Sequence, residues 1–190
     1  MLRFAKNVVI IKKNMMPRKV DKSLQNSATQ GILEQEKFMI KILFICHGNI
    51  CRSPLAESYF THLVSTRGLS DLFEIASAAT SREEIGNPPH PGTQRILAVH
   101  GIPLVPHRAV QLTKADGENY DYLIGMDSWN MRNIARIVGA DASAEQIRLL
   151  DLTDEFRDVA DPWYTGDFDQ TYADIEKGCE ALLEYLLQNM

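Results

Sequence analysis

The chain has 190 residues, 45% of them hydrophobic and 24% charged, which is the composition of a globular domain with a full core. Three cysteines are too few for a disulfide framework, so we expect a reducing, cytoplasmic environment. The formal net charge of -5 gives no overall reason to expect a nucleic-acid partner, and no apolar run reaches the ~20 residues that span a bilayer.

Basic and acidic residues are distributed unevenly along the chain. Residues 1–38 carry eight Lys and Arg against three Asp and Glu, whereas residues 39–190 carry twelve against twenty-two. The first segment is poor in hydrophobic residues, which favours low order, although a short helix over 29–38 and a weak targeting peptide are alternatives. We predict a basic N-terminal extension of low order over 1–38 and one folded domain over 39–190.

The domain begins with a predicted strand and helix. The run IKILFIC at 40–46 is continuous and β-branched, which is typical of a strand buried on both faces. A helix is predicted over 53–68, with Ser53 as its cap, Pro54 in its first turn and Gly68 at its end.

Strands and helices continue to alternate after this first pair, which predicts a parallel sheet covered on both faces. In such sheets ligands bind at the carboxyl ends of the strands, and Cys46 lies at such an end. Asp127 is placed to cap one of the later helices. The remaining predicted elements are strands at 72–80, 120–126 and 147–150 and helices around 94–100, at 128–138 and at 167–188.

The loop after the first strand, CHGNICRSP, has the composition of an anion site. A strand, a loop and a capped helix direct backbone N–H groups and the helix dipole at one small volume. Gly48 allows close backbone approach, and the planar guanidinium of Arg52 binds phosphate-like oxygens in a bidentate manner. The same positive potential stabilises a thiolate at Cys46, so the C-x5-R spacing predicts a covalent phosphocysteine mechanism.

Two other uses of the cysteines are less consistent with this spacing. A zinc site built from Cys46, His47 and Cys51 requires a tighter pair and a matching second pair of ligands. Buried structural thiols do not explain why a glycine, an arginine and a helix start occur at fixed offsets. We therefore predict neither a metal nor another cofactor.

The motif CHGNICRS resembles the active-site loop of the low-molecular-weight protein tyrosine phosphatases. The resemblance covers about 39–190 and implies a single three-layer α/β domain. Its sheet is expected to have four parallel strands in the flavodoxin-like order 2-1-3-4, with helices on both faces. Further segments resemble the family in the same order, namely SAATS at 77–81, IGNPP at 85–89, HGIPLVPHRAVQLTKAD at 100–116, DYLIGMD at 121–127 and DPWYTGDF at 161–168.

The resemblance implies three catalytic residues. Cys46 attacks phosphorus while Arg52 and the loop N–H groups hold the equatorial oxygens. Asp161 matches the aspartate of the family's Asp-Pro motif and serves first as general acid and then as base. From the residues alone Asp161 is one of several acids in an exposed loop, and Asp154 and Asp158 are interpreted as solvated charges.

Four polar residues match family positions that support the loop. Ser53 is expected to steady the thiolate, although helix capping explains it as well. Asn49, Ser77 and His107 are expected to hold the loop shape by hydrogen bonds, and asparagine tolerates a positive φ better than most residues. Asp127 matches an aspartate near the pocket, with helix capping as an equally good account.

Other residues are expected to contact the substrate. Trp163 and Tyr164 match an aromatic wall that favours phosphotyrosine over phosphoserine, and core packing of the pair is the alternative. In relatives that act on phosphoarginine the position of Ile50 is typically threonine, so isoleucine favours phosphotyrosine. The predicted substrate-binding residues are His47, Gly48, Ile50, Cys51, Trp163 and Tyr164.

The resemblance implies a protein-tyrosine phosphatase that acts on phosphotyrosine proteins, such as a bacterial tyrosine kinase, and on small aryl phosphates. An arsenate reductase of the same fold requires a relay of further cysteines, and only Cys179 remains. A phosphoarginine phosphatase and a binding module without turnover are further alternatives. We expect a monomer or weak homodimer with no nucleic-acid or membrane partner.

Cys51 is also a predicted redox partner, because a disulfide with Cys46 would protect the nucleophile from peroxide.

Overall fold

The computed structural model describes residues 39–190, so the predictions for the N-terminal extension lie outside the described residues. Its centre is a sheet of four parallel strands in the order β2-β1-β3-β4. The predicted fold class and strand order are therefore confirmed. The strands are β1 Ile40–Cys46, β2 Phe73–Ala79, β3 Tyr122–Gly125 and β4 Glu145–Arg148.

Helices cover both faces of this sheet. Alternation along β1 sends Ile42 and Phe44 into one core cluster and Leu43 and Ile45 into the other. The first cluster contains residues of α1, α2 and α6, and the second contains residues of α4. The helices are α1 Arg52–Thr66, α2 Pro91–Val99, α3 Asp116–Asn119, α4 Ser128–Val138, α5 Pro162–Thr165 and α6 Phe168–Asn189, with short 3-10 turns at Ser70–Leu72 and Leu149–Leu152.

The fourth strand lies two residues earlier than predicted. The apolar run at 147–150 indicated a strand, but β4 ends at Arg148 and a 3-10 turn follows. Leu149 is fully buried there and packs so closely on α6 that a Cβ atom at Gly178 would lie 2.5 Å from Leu149 Cγ. Packing against a helix that is distant in sequence therefore decides where this strand ends.

Helix α2 begins at Pro91, three residues before the predicted start. The Nδ1 atom of His90 accepts a hydrogen bond from the N–H of Gly92 at 3.0 Å and caps the helix. Histidine is not among the preferred capping residues, which is why sequence inspection placed the start later. Within residues 39–190, none of the helices combines the length and the apolar character needed to cross a membrane.

Candidate active site

Cys46 ends β1 and Arg52 begins α1, and the turn between them lies at the carboxyl edge of the sheet. We call residues 46–53 the cysteine loop. Asn49 sits in the middle with a φ of 58°, a left-handed conformation that asparagine adopts more readily than most residues. This turn brings the backbone N–H of Asn49 to 3.2 Å from the Cys46 sulfur. The loop therefore folds around the thiol, and the N-terminus of α1 adds its positive dipole.

The side chain of Ser53 faces the same sulfur. Its Oγ atom lies 3.1 Å from Cys46 Sγ and accepts a hydrogen bond from Asn49 Nδ2 at 2.9 Å. Because Asn49 supplies that proton, the Ser53 hydroxyl keeps its own proton to donate to sulfur, which stabilises a thiolate. The prediction that Ser53 caps α1 is wrong, since the N-cap is Cys51 and has no side-chain cap bond.

A buried hydrogen-bond network holds the cysteine loop in shape. The Asn49 side chain donates to Ser77 Oγ at 2.8 Å and accepts from the N–H of Val110 at 3.0 Å. His107 Nε2 lies 2.8 Å from the Asn49 carbonyl oxygen. Ser77 in turn donates to Glu57 Oε2 at 2.5 Å. The structure thus brings together the predicted supporting residues and adds Glu57, whose signal in the sequence was an acid on the buried side of α1.

Arg52 connects the loop to two carboxylates. Its Nη1 donates to Asp127 Oδ2 at 2.6 Å and its Nη2 to Asp161 Oδ2 at 2.5 Å. Asp127 also accepts from the N–H of Asn130 at 2.5 Å, so the predicted cap of α4 is confirmed, and the same residue holds Arg52. Burial alone would lower the pKa of Arg52, but the negative charges of Cys46, Asp161 and Asp127 raise it, so the guanidinium stays cationic.

The two cysteines of the loop have different environments. Burial, with added repulsion from Cys46 and Asp161, raises the pKa of Cys51 to about 12 against the opposing effect of Arg52. Cys51 is therefore a neutral thiol at physiological pH. The Cys46 sulfur, by contrast, accepts hydrogen bonds from the N–H of Asn49 and from the hydroxyl of Ser53. Both thiols are free and buried.

Asp161 lies in a mostly exposed stretch, residues 153–167, that we call the acid segment. Its Oδ1 accepts from the N–H of Trp163 at 3.1 Å and caps the short helix α5, while its Oδ2 contacts Arg52. Asp158 is fixed rather than simply solvated, because it accepts from the N–H of Ser128 at 2.9 Å and from Arg148 at 2.7 Å. The acid segment is thus attached to the rest of the domain on the α4 side.

A second attachment joins the acid segment to α6, and the sequence did not reveal it. The nearly inaccessible carboxylate of Asp174 accepts from Arg157 at 2.7 and 2.8 Å, from the N–H of Ala160 at 2.9 Å and from Gln170 at 2.7 Å. Burial alone would raise the pKa of Asp174, but these donors together hold it below its usual value of 3.8. Asp174 is therefore a charged anchor for the segment that carries Asp161.

A cleft of about 130 Å³ lies above Cys46 and contains every residue predicted to contact substrate. Trp163 and Tyr164 are 60% and 85% exposed at its edge, so the alternative that they pack in the core is wrong. Glu83 and Glu84 also line it, which the sequence did not indicate. The lining residues are Cys46, His47, Gly48, Ile50, Cys51, Arg52, Glu83, Glu84, Asp161, Trp163 and Tyr164. Within residues 39–190, no group of three or more His, Cys, Asp or Glu side chains is arranged to hold a metal ion.

A parallel α/β domain with a thiol at the end of a strand, an arginine at the start of the next helix and a carboxyl group beside them is typical of cysteine-dependent phosphatases. The family model described as low molecular weight phosphotyrosine protein phosphatase matches residues 41–190. The chain belongs to this family, as the sequence predicted, and the members of this family are hydrolases.

Relatives from distant organisms cover nearly the same region. The low molecular weight protein-tyrosine-phosphatase YfkJ of Bacillus subtilis (strain 168) is 42% identical over 147 residues, which are 76% of this chain and 94% of the relative. The low molecular weight phosphotyrosine protein phosphatase of Homo sapiens is 40% identical over 148 residues, 75% of this chain and 93% of the relative. The crystal structure of YfkJ from Bacillus subtilis is similar with a TM-score of 0.77 and 40% identity, covering 80% of this chain and 96% of that one.

Proposed function

We propose that the chain is a protein-tyrosine phosphatase that hydrolyses phosphotyrosine in proteins, and small aryl phosphates, through a phosphocysteine on Cys46. The observation that carries the proposal is the convergence of three groups on one cleft. These are a sulfur with two hydrogen-bond donors, a buried cationic Arg52 and the carboxyl group of Asp161.

In the first step the Cys46 thiolate attacks phosphorus and the bond from phosphorus to the phenolic oxygen breaks. Arg52 and the N–H groups of the cysteine loop bind the equatorial oxygens, whose charge changes during transfer. A phosphate that engages Nη2 of Arg52 replaces the carboxylate of Asp161 there. Asp161 is then free to face the leaving oxygen and donate a proton to it.

In the second step water attacks the phosphocysteine. Asp161, now deprotonated, takes a proton from this water, and the sulfur leaves as a thiolate. The hydroxyl of Ser53 and the N–H of Asn49 stabilise the negative charge that returns to sulfur. Inorganic phosphate is the product, and no metal or other cofactor takes part in either step.

The substrate class follows from the walls of the cleft. Trp163 and Tyr164 provide exposed aromatic surface for a phenyl ring that reaches down to Cys46. Ile50 in the lining favours phosphotyrosine over phosphoarginine. The phosphatases among the relatives support phosphoproteins as the substrate class, and we extend this to a bacterial tyrosine kinase. The site of action in this proposal is the cytoplasm, and the enzyme acts as a monomer or weak homodimer.

Hydrolysis of p-nitrophenyl phosphate by the full-length chain in excess chelator tests the proposal. We expect full activity in chelator, complete loss with Cys46→Ser and retention of much of the activity with the matched variant Cys51→Ser. Loss with Cys51→Ser and retention with Cys46→Ser would identify the other sulfur as nucleophile. A requirement for metal would contradict the covalent cysteine mechanism.

The alternatives are separated by their substrates. Arsenate reduction requires a relay thiol, but Cys179 is fully buried in α6, and burial raises the pKa of its thiol well above the usual value. Arsenate-dependent oxidation of thioredoxin with negligible aryl phosphate hydrolysis would overturn the phosphatase proposal. A higher kcat/KM for phosphoarginine than for phosphotyrosine peptides would overturn the assignment of the substrate. Trapping with Asp161→Ala then identifies the bound phosphoproteins.

A further inference from the structure

The cleft has two walls of different chemistry. One wall is aromatic and consists of Trp163 and Tyr164 of α5. The other is formed by Glu83 and Glu84 together with His47 of the cysteine loop, and we call these three residues the carboxylate wall. His47 Nε2 lies 3.1 Å from Glu83 Oε2, so these two side chains form a hydrogen-bonded pair in this wall.

Backbone hydrogen bonds fasten the loop that carries the carboxylates to the cysteine loop. The N–H groups of Thr80 and Ser81 donate to the carbonyl oxygens of Cys46 and His47, each at 2.9 Å. The start of this loop is therefore fixed relative to the nucleophile, and little ordering of its backbone is needed when a substrate binds.

The carboxylates of Glu83 and Glu84 differ in how accessible they are to a ligand. Glu84 Oε2 accepts from Asn87 Nδ2 at 2.6 Å, and the Glu84 side chain lies against the backbone of Gly48. Glu83 is much more open, with a side chain that is 74% exposed, and its partner His47 is 48% exposed. Glu83 is therefore the carboxylate of this wall that a group on the substrate can reach.

The carboxylate wall is net negative whether His47 is neutral or protonated, because it contains two carboxylates and one imidazole. The neighbouring cation Arg82 does not line the cleft, and Arg52 already contacts Asp127 and Asp161. A substrate whose phosphate lies on Arg52 thus has anionic side chains of the enzyme beside its peptide backbone.

We infer that Glu83, supported by Glu84 and His47, selects phosphotyrosine substrates with a lysine or arginine next to the phosphotyrosine and disfavours those with aspartate or glutamate there. This inference rests on the proposed phosphotyrosine phosphatase function and adds the sequence class of the substrate. A cation beside the phosphotyrosine pairs with Glu83, whereas a carboxylate meets like charge. Since the contact is exposed, it discriminates by a moderate factor and depends on salt.

Two phosphotyrosine pentapeptides test the inference, one with lysine and one with glutamate on both sides of the phosphotyrosine. We expect kcat/KM of the wild-type chain to be about five- to twentyfold higher for the lysine peptide at low salt. The ratio is expected to shrink at ~1 M NaCl because screening weakens exposed charge pairs. A ratio of one or below at low salt would overturn the inference.

Charge-reversal variants locate the effect. Glu83→Lys is expected to lower the lysine-to-glutamate ratio by about fivefold or more. Glu184→Lys makes the same charge change at an exposed position on α6 and is expected to keep the wild-type ratio. An equal change in both variants would mean that overall charge, not this wall, discriminates. The substrate p-nitrophenyl phosphate has no flanking residues, so its hydrolysis does not depend on the inference. Failure of the wild-type chain to hydrolyse it would count against the phosphatase function itself.

Discussion

The cysteine loop and the acid segment meet at Arg52, yet they are held in place by different means. In the cysteine loop Asn49, Arg52 and Ser53 are buried, and hydrogen bonds between neutral groups, within the loop and to β2, hold the turn at Asn49. The acid segment is mostly exposed and is attached through ion pairs to its neighbours, including the pair between Arg157 and Asp174.

The difference matches what each region has to do in the proposed reaction. Donors that stabilise a phosphate must be in position before charge develops, which a buried hydrogen-bonded loop achieves. In the proposed reaction the acid Asp161 contacts Arg52 in one state and the leaving oxygen in another. An exposed segment with two charged anchors lets the Asp161 side chain change partners while the backbone stays attached.

A matched pair of arginine substitutions tests this contrast and has the largest expected effect. Arg52→Lys keeps the charge but loses the planar fork, and we expect kcat/KM for p-nitrophenyl phosphate to fall by about 10³-fold. Arg157→Lys in the acid segment is expected to lower it by less than about tenfold, because Asp174 keeps two other donors. Comparable losses would show that the two regions are not functionally different.

The role of Asp161 gives the next largest effect. Asp161→Asn removes the transferable proton, and we expect the hydrolysis rate of phenyl phosphate to fall by about 10²-fold or more. The loss should be smaller for substrates whose leaving group is a weaker base and needs no proton. Asp158→Asn, in the same segment, is the control, and any loss of rate in this variant should not depend on the leaving group. Equal slowing across leaving groups would rule out Asp161 as the acid.

The anchor at Asp174 has its main effect on stability. Asp174→Asn weakens the contact with Arg157, and we expect a loss of about 1–3 kcal/mol in the free energy of unfolding at pH 7. The folded state holds the pKa of Asp174 below 3.8, so its contribution is fully present above that pH and disappears as the pH falls through the lowered pKa. Urea unfolding of both proteins at pH 7 and near pH 3 measures this difference, which should shrink at the lower pH.

For the control, Asp154→Asn removes a 90%-exposed acid of the same segment whose partner is Lys177. It is expected to leave the unfolding midpoint unchanged. A pH-independent loss in Asp174→Asn would show that the charge of Asp174 is not what stabilises the segment.

The smallest expected effect on turnover concerns Cys51, which we propose as the redox partner of Cys46. Peroxide oxidises the Cys46 thiolate to a sulfenic acid, and attack by the Cys51 thiol then forms a disulfide and releases water. Activity regained with a thiol reductant after a peroxide pulse measures this protection. We expect Cys51→Ser to regain less activity than the wild type, and equal recovery would remove the role.

The cysteine loop and the elements around it could be predicted from patterns among neighbouring residues. The buried strand ending at Cys46, the spacing to Arg52 and the capping of α4 by Asp127 each depend on residues within a few positions of one another. The preference of Asn49 for a positive φ is equally local. The order of the strands and the place of Asp161 followed from the family resemblance, because composition alone left Asp161 as one acid among several.

Tertiary structure alone decided the contacts between residues that are distant in the chain. The sequence identified neither Glu57 beside Ser77 nor Asp174 beneath the acid segment, because each carboxylate becomes an anchor only when a distant donor reaches it. The pairing of Glu83 with His47 arose in the same way. By itself, the sequence determined the chemistry of the loop, since periodicity and turn geometry act between neighbours. The shape and charge of the surrounding site depend on how the chain packs.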